Sequence, residues 1–276
     1  MRLMKKIFTK MLVAVIILAA GSAYSCKNRG ESQKQKETNI IEKQAIEQEI
    51  EENVYPLPTS AEVIKKLSDL DLGYILGASN PPSNARNYVS SYGRATNLGV
   101  YGADLSYATL YNMQQDVIDY LASMRTMAND LNLSKIYDES LYEKIKANFD
   151  NRDTLVTVLT DAFNRTYSYM MDAGQANLAL LMVGGAWVEG MYLTLAVSES
   201  GAHLTGFEAV LLEQKKSFEM FEEVAKPHND DALVVEFLNG LQPVRDIYAT
   251  LSTSLTMKNI EDLKKAVGQV RSALIK

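Results

Sequence analysis

The chain has 276 residues, of which 47% are hydrophobic, and this is enough for a substantial core. Four of its 28 basic residues and none of its 34 acidic residues lie within residues 1–25, so the remainder carries 24 basic and 34 acidic residues, a formal net charge of −10. This acidic balance argues against nucleic acid and against an anionic membrane surface as binding partners.

Residues 1–25 have the three parts of a secretory signal. Four basic residues precede the apolar stretch MLVAVIILAA at 11–20, and small residues follow it at 21–23. Ten apolar residues span only about 15 Å as a helix, roughly half of the hydrocarbon core of a bilayer. We therefore expect a signal that is cleaved, rather than a helix that spans the membrane.

Cys26 is the only cysteine in the chain and directly follows this segment. Its surroundings resemble a lipobox, in which the cysteine receives a diacylglyceryl group and the chain is cut just before it. Ala23 stands where a lipobox usually has Leu, and Tyr24 stands where it usually has a small residue. Ordinary cleavage after Ala23 or Ser25 is the alternative. The resemblance predicts lipidation of Cys26, and two or three acyl chains suffice for stable anchoring.

The chain as a whole resembles the all-helical envelope lipoproteins of Bacteroidetes, which also carry loose lipoboxes. This resemblance brings no catalytic residue and no activity with it. In known lipoproteins, Asp after the cysteine retains the protein in the inner membrane, and an acidic cluster there directs it to the cell surface. Residues 27–32 read KNRGES instead. The resemblance therefore implies an outer-membrane anchor, with the periplasmic face favoured over the cell exterior.

Residues 26–54 are expected to form a charged, flexible tether behind the lipidated cysteine. Lys, Glu, Gln, Asn and Ser dominate residues 27–54, which contain no aromatic residue. Such a segment buries too little apolar surface to offset the entropy lost on ordering. From Tyr55 the composition becomes that of a globular protein, so residues 55–276 are predicted to form one domain.

The hydrophobic spacing of this domain is helical. Thr59 and Glu62 form a capping box that opens the first helix, and the run ASNPPSN at 78–84 is a break. Longer apolar faces follow, and they predict helices over 105–131, 205–226, 230–252 and 259–275.

Two details of this pattern need interpretation. Pro243 is expected to kink the helix over 230–252. The run LVTVLT at 155–160 alternates as a strand would, but Asp153 can cap a helix there and helix-compatible sequence continues beyond it. We therefore predict an all-α fold, a single bundle of about seven to nine helices.

A weak internal repeat is present. GVYGADLSYATL at 99–110 and GGAWVEGMYLTL at 184–195 both fit the pattern G-x4-[DE]-x2-Y-x-T-L, with an offset of 85 residues. A duplicated helical unit, over 59–132 and 138–226, would explain the repeat. Coincidence between helices of similar composition would explain it too.

Each copy of the repeat places an acid, Asp104 or Glu189, among apolar and small residues. A buried carboxylate must find a donor or become neutral. One interpretation is structural: the acids accept hydrogen bonds from tyrosine hydroxyls or pair with Arg86, Arg94 or Arg165. The other is catalytic: both acids face one solvent-reachable pocket and act as a carboxyl pair in a hydrolase or lyase.

The segment around Glu189 is apolar on every side and long enough to span a membrane. Because Glu189 lies in its middle, we favour a central helix of the domain over a membrane span. Aromatic residues of the two repeats are candidates for ligand contacts, with core filling as the alternative. These candidates are Tyr101, Tyr107, Trp187 and Tyr192.

Common catalytic and cofactor motifs are absent from the sequence, and neither the two histidines nor Cys26 suggests a metal site. We therefore expect no cofactor and no metal. The leading functional hypothesis is a membrane-anchored envelope lipoprotein whose helical domain binds a small ligand or an envelope protein without catalysis. The alternatives are the hydrolase or lyase that uses Asp104 and Glu189, and a structural subunit of an envelope assembly.

Overall fold

The computed structural model describes residues 59–70, 72–196, 206–251 and 254–276, and these residues are helical without any strand. The signal, the lipidation site at Cys26 and the tether lie outside the described residues. The all-α prediction is confirmed. The α-helices of the described ranges are α1 Ser60–Asp69, α2 Ser91–Leu110, α3 Gln114–Asp130, α4 Glu139–Lys146, α5 Arg152–Asp172, α6 Ala176–Ala196, α7 Phe207–Ala225, α8 Ala232–Gly240, α9 Gln242–Thr250 and α10 Met257–Leu274, with short 3₁₀ helices at Pro82–Asn87 and Lys226–His228.

Local capping positions the first turns of α1 and α5. The predicted capping box opens α1, where the Thr59 N–H donates to the Glu62 carboxylate at 2.6 Å. Residues 155–160 are helical, as predicted, within α5. The cap of α5 is Asn151 rather than Asp153: its side-chain oxygen accepts from the Thr154 N–H at 3.0 Å.

Two segments predicted as single helices are each divided in two. Residues 105–131 are interrupted between α2 and α3, where Asn112 has a left-handed φ of +59°. Residues 230–252 are interrupted at Leu241, between α8 and α9. Pro243 lies in the first turn of α9. Because a first-turn N–H has no partner inside its own helix, this proline starts a helix instead of kinking one.

Helix α6 is the centre of the domain. It packs against α1, α2, α5, α7, α8 and α10, and nearly all of its side chains are buried. By length and composition α6 could cross a membrane, yet 89% of its most apolar window is buried inside the domain. This surrounding of helices agrees with a core helix and explains why α6 has no polar face.

Candidate functional site

Helices α2 and α6 touch backbone to backbone at two glycines. A Cβ on Gly99 would lie 1.9 Å from the Met182 carbonyl oxygen, and one on Gly185 would lie 2.1 Å from the Thr96 carbonyl oxygen. Any side chain at either position would therefore force the helices apart. The two helices are the central parts of the sequence repeat, although the duplication itself stays a prediction.

The two acids of the repeat meet on the same side of this crossing. Asp104 follows Gly99 by five residues and Glu189 follows Gly184 by the same number, and both side chains are completely buried. Their carboxyl groups are hydrogen-bonding partners. Asp104 and Glu189, which are equivalent positions of the repeat, therefore face each other.

The cation that pairs with Glu189 is Arg271 of α10. Its Nε donates to Glu189 Oε2 at 2.6 Å, and its Nη2 donates to Glu189 Oε1 at 2.8 Å. Nη2 also donates to the Ala78 carbonyl oxygen at 3.0 Å. The guanidinium lies over the ring of Tyr192, 4.0 Å from its centroid. We refer to Asp104, Glu189 and Arg271 as the carboxyl cluster.

The expected arginine partners were wrong. Arg94 pairs with Asp130 on the surface at 3.0 Å, and Arg86 donates to the Ser83 carbonyl oxygen. Arg165 lies on an exposed part of α5. The sequence does contain a signal for the true partner: Arg271 follows Val267 by four residues, so it occupies the apolar face of α10.

Burial sets the protonation of the carboxyl cluster. Desolvation, together with the charge of Glu189, raises the pKa of Asp104 well above its ordinary value. Desolvation also raises the pKa of Glu189, and the hydrogen bonds and charge of Arg271 oppose that rise. The arrangement thus favours an ionised Glu189 that faces Arg271 and a protonated Asp104 that donates to Glu189.

The hydrogen bonds of Asp104 fit this assignment. Oδ2 accepts from the Asn80 N–H at 3.2 Å, whereas no donor of the described residues points at the buried Oδ1. A proton on Oδ1 would satisfy that atom by donation to Glu189. The cluster then contains one cation, one anion and one neutral acid, and its buried charges balance.

Three tyrosines, two in α2 and one directly after its end, hold the loop that precedes the 3₁₀ helix at Pro82–Asn87. They lie on the same side of α2 as Asp104, with spacings of three and four residues. Each hydroxyl bonds a main-chain group of the loop: Tyr101 donates to the Pro81 carbonyl oxygen at 2.8 Å, Tyr107 accepts from the Ile75 N–H at 2.8 Å, and Tyr111 donates to the Leu72 carbonyl oxygen at 2.5 Å. Tyr101 and Tyr107 are thus core residues that satisfy loop polar groups.

The other two aromatic candidates are partly exposed. Tyr192 lines a surface pocket of about 270 Å³ beside the turn at 75–78, and its ring also contacts Arg271. Trp187 packs on Phe218 with ring centroids 5.0 Å apart, and its indole Nε1 has no hydrogen-bond partner in the described part of the chain. Of the four aromatic candidates, only Tyr192 and Trp187 are accessible to a ligand.

The structure brings Asp104 and Glu189 together, as the catalytic hypothesis requires, but it does not open them to solvent. Both acids are 0% exposed, and neither lines the pocket beside Tyr192. Glu189 is engaged through both of its oxygens by Arg271. A general acid must come within hydrogen-bonding distance of its substrate, and in this arrangement no substrate can approach either acid.

Within the described ranges, no three His, Cys, Asp or Glu side chains are grouped as a metal site. No family model, no curated protein and no solved structure matches this chain.

Proposed function

We propose that this chain is a lipid-anchored protein of the bacterial cell envelope whose all-α domain binds a ligand or a partner without catalysis. The anchor rests on the sequence: Cys26 is the only cysteine, and it lies between a secretory-type segment and a charged tether. The loss of the signal would leave Cys26 as the first residue, joined to the domain through residues 27–54.

The closed carboxyl cluster is the observation that favours binding over catalysis. Asp104 and Glu189 are the acids that a hydrolase or lyase would use, yet both are fully buried. They are hydrogen-bonded to each other, and Glu189 is ion-paired with Arg271. These hydrogen bonds and this ion pair join α2, α6 and α10, so we propose that the carboxyl cluster stabilises the fold.

A role as a structural subunit of an assembly has less support. Such a role calls for a contiguous exposed apolar patch. The large apolar side chains that are exposed come from six different segments of the described chain, and no two of them share a helix: Leu76, Val89, Ile118, Tyr169, Val235 and Met257. Single exposed apolar residues are normal on a protein surface.

The anchor is tested by expression of the full chain in a Gram-negative host and extraction with a detergent that separates into two phases. We expect the wild-type protein in the detergent phase, with an N-terminal peptide that begins at Cys26 and carries the mass of its acyl groups. Cys26→Ser removes the thiol, so this variant should enter the aqueous phase. Ser25→Ala is the matched control and should behave as wild type.

An unlipidated product that begins at residue 24 or 26 would contradict the anchor. Binding is tested separately, by native mass spectrometry of the purified protein and by crosslinking in intact cells. A co-purified small molecule or a reproducible envelope partner supports a binding domain. A domain that carries no ligand and captures no partner would leave the binding proposal without support.

A further inference from the structure

A groove of about 290 Å³ lies between α4 and α5, on residues that the carboxyl cluster does not use. Its apolar surface comes from Ile136, Leu141 and Ala162, which are buried, and from Val158, which is half-buried. The volume is just below the usual range for ligand pockets, about 300 to 1,000 Å³. A groove of this size suits a small molecule with an aliphatic part.

Four charged side chains surround this apolar surface, two of each sign. Asp138 directly precedes α4 and Lys144 lies within it, whereas Asp161 and Arg165 belong to α5. Within the described ranges none of the four has an opposite charge within 4.0 Å. One Asp138 oxygen caps α4 through the Leu141 N–H at 3.2 Å. The groove therefore offers two carboxylates and two cations that form no ion pair with any described residue.

An amide oxygen completes the lining. Oδ1 of Asn164 is buried at the groove and accepts no hydrogen bond from the described residues. A buried polar atom of this kind is normally paired, by protein, water or ligand. Asn164 Oδ1 is therefore a buried acceptor beside the groove, and its partner is not among the described residues.

The charge pattern selects the ligand class. A purely anionic molecule would leave Asp138 and Asp161 unpaired, and a purely cationic one would leave Lys144 and Arg165 unpaired. A molecule with an ammonium and a carboxylate can satisfy both signs at once. The groove contains no aromatic side chain among the described residues that line it, so a stacking platform for a sugar or a base is missing.

We propose that this groove binds an α-amino acid or a dipeptide with an aliphatic side chain. The carboxylate pairs with Lys144 and Arg165, the ammonium group pairs with the two aspartates, and the side chain packs on the apolar surface. The assignment rests on the proposed function, since it names the ligand class of a binding domain.

The test is calorimetric titration of the full chain, purified in detergent, with the dipeptide L-leucyl-L-leucine. We expect saturable binding with one site per chain. N-acetylation removes the ammonium charge and C-terminal amidation removes the carboxylate, so each modified peptide should bind at least about tenfold more weakly. Asp161→Asn and Arg165→Gln should each weaken binding of the unmodified dipeptide by a similar factor.

Matched controls come from the same region of the chain. Asp150→Asn and Arg152→Gln change exposed charges next to or at the start of α5, outside the groove, and should bind as wild type does. Circular dichroism verifies the fold of each variant. Absence of binding to wild type, or binding that neither end modification nor either groove variant weakens, overturns the assignment. If the chain still enters the detergent phase, such a result overturns the ligand assigned to the groove and leaves the proposed anchor intact.

Discussion

Replacement of Arg271 by methionine tests whether the carboxyl cluster stabilises the fold. The guanidinium makes two hydrogen bonds to Glu189, at 2.6 and 2.8 Å, and one to the Ala78 carbonyl oxygen at 3.0 Å. Methionine fills part of the space and donates none of these bonds. Glu189 would then be a fully buried carboxylate without a cation.

The expected loss in the free energy of unfolding follows from the process that removes that charge at the lowest free-energy cost, which is protonation of Glu189. At pH 7, protonation of a glutamate with an ordinary pKa of about 4.3 costs roughly 3.7 kcal/mol. The lost hydrogen bond to the Ala78 carbonyl adds about 1 kcal/mol. We expect the free energy of unfolding to fall by about 4 to 5 kcal/mol, within the roughly 3 to 5 kcal/mol typical of a broken buried pair. The melting temperature should fall by roughly 8 to 20 °C.

The assay is urea unfolding followed by far-UV circular dichroism, at pH 7 and at pH 5. Without Arg271, burial keeps the pKa of Glu189 above its ordinary value, so the folded variant binds a proton that the unfolded chain lacks. That cost falls as the pH falls towards about 4.3, and the deficit of the variant should shrink by roughly 2 to 3 kcal/mol between pH 7 and pH 5.

Two comparisons isolate the ion pair. Lys258→Met, on the same helix, breaks an exposed pair with Asp262 and should lower the free energy of unfolding far less than Arg271→Met does. Glu189→Gln combined with Arg271→Met removes both charges and should be more stable than Arg271→Met alone. A stabilising role of the ion pair is refuted if the free energy of unfolding of Arg271→Met lies within about 1 kcal/mol of wild type at pH 7, or if the difference does not change with pH.

Two further predictions concern α2. Asp104→Asn keeps a donor for Glu189, so the variant should fold as wild type. In wild type, the contribution of Asp104 to the free energy of unfolding is fully present below about pH 3.9 and is lost as the pH rises through the raised pKa of Asp104. The variant should lack this pH dependence, and equal pH profiles from chemical unfolding would contradict the assignment. Gly99→Ala puts a Cβ 1.9 Å from the Met182 carbonyl oxygen and should lower the free energy of unfolding by at least about 3 kcal/mol. Gly268→Ala has open space around it and should raise that free energy by about 0.5 to 1 kcal/mol. Similar melting temperatures for the two variants would refute the close packing.

Local chemistry explains which helices could be predicted. The capping box of Thr59 and Glu62 and the apolar spacing over 259–275 depend on residues within a few turns of each other, and both predictions match the structure. The prediction of a single helix over 105–131 was wrong for a related reason. Its apolar face continues across the break at Asn112, and periodicity alone does not detect a left-handed residue between two helices.

The site is where sequence reasoning fell short. The repeat drew attention to Asp104 and Glu189, but it did not identify Arg271, which is 82 residues away from Glu189 along the chain. No sequence motif predicted the groove between α4 and α5, because its four charged residues lie in two helical segments that become neighbours only on folding.

The sequence by itself determined the helical class, the positions of several helices and the two buried acids of the repeat, since spacing and composition act over short distances. The lipid anchor at Cys26 also comes from the sequence alone and stays a prediction. Only the tertiary structure decided that both acids are buried, that Glu189 pairs with Arg271, and that four charges without an ion-pair partner among the described residues border a groove. Burial and charge pairing depend on which distant residues packing brings together, and a local pattern does not contain that information.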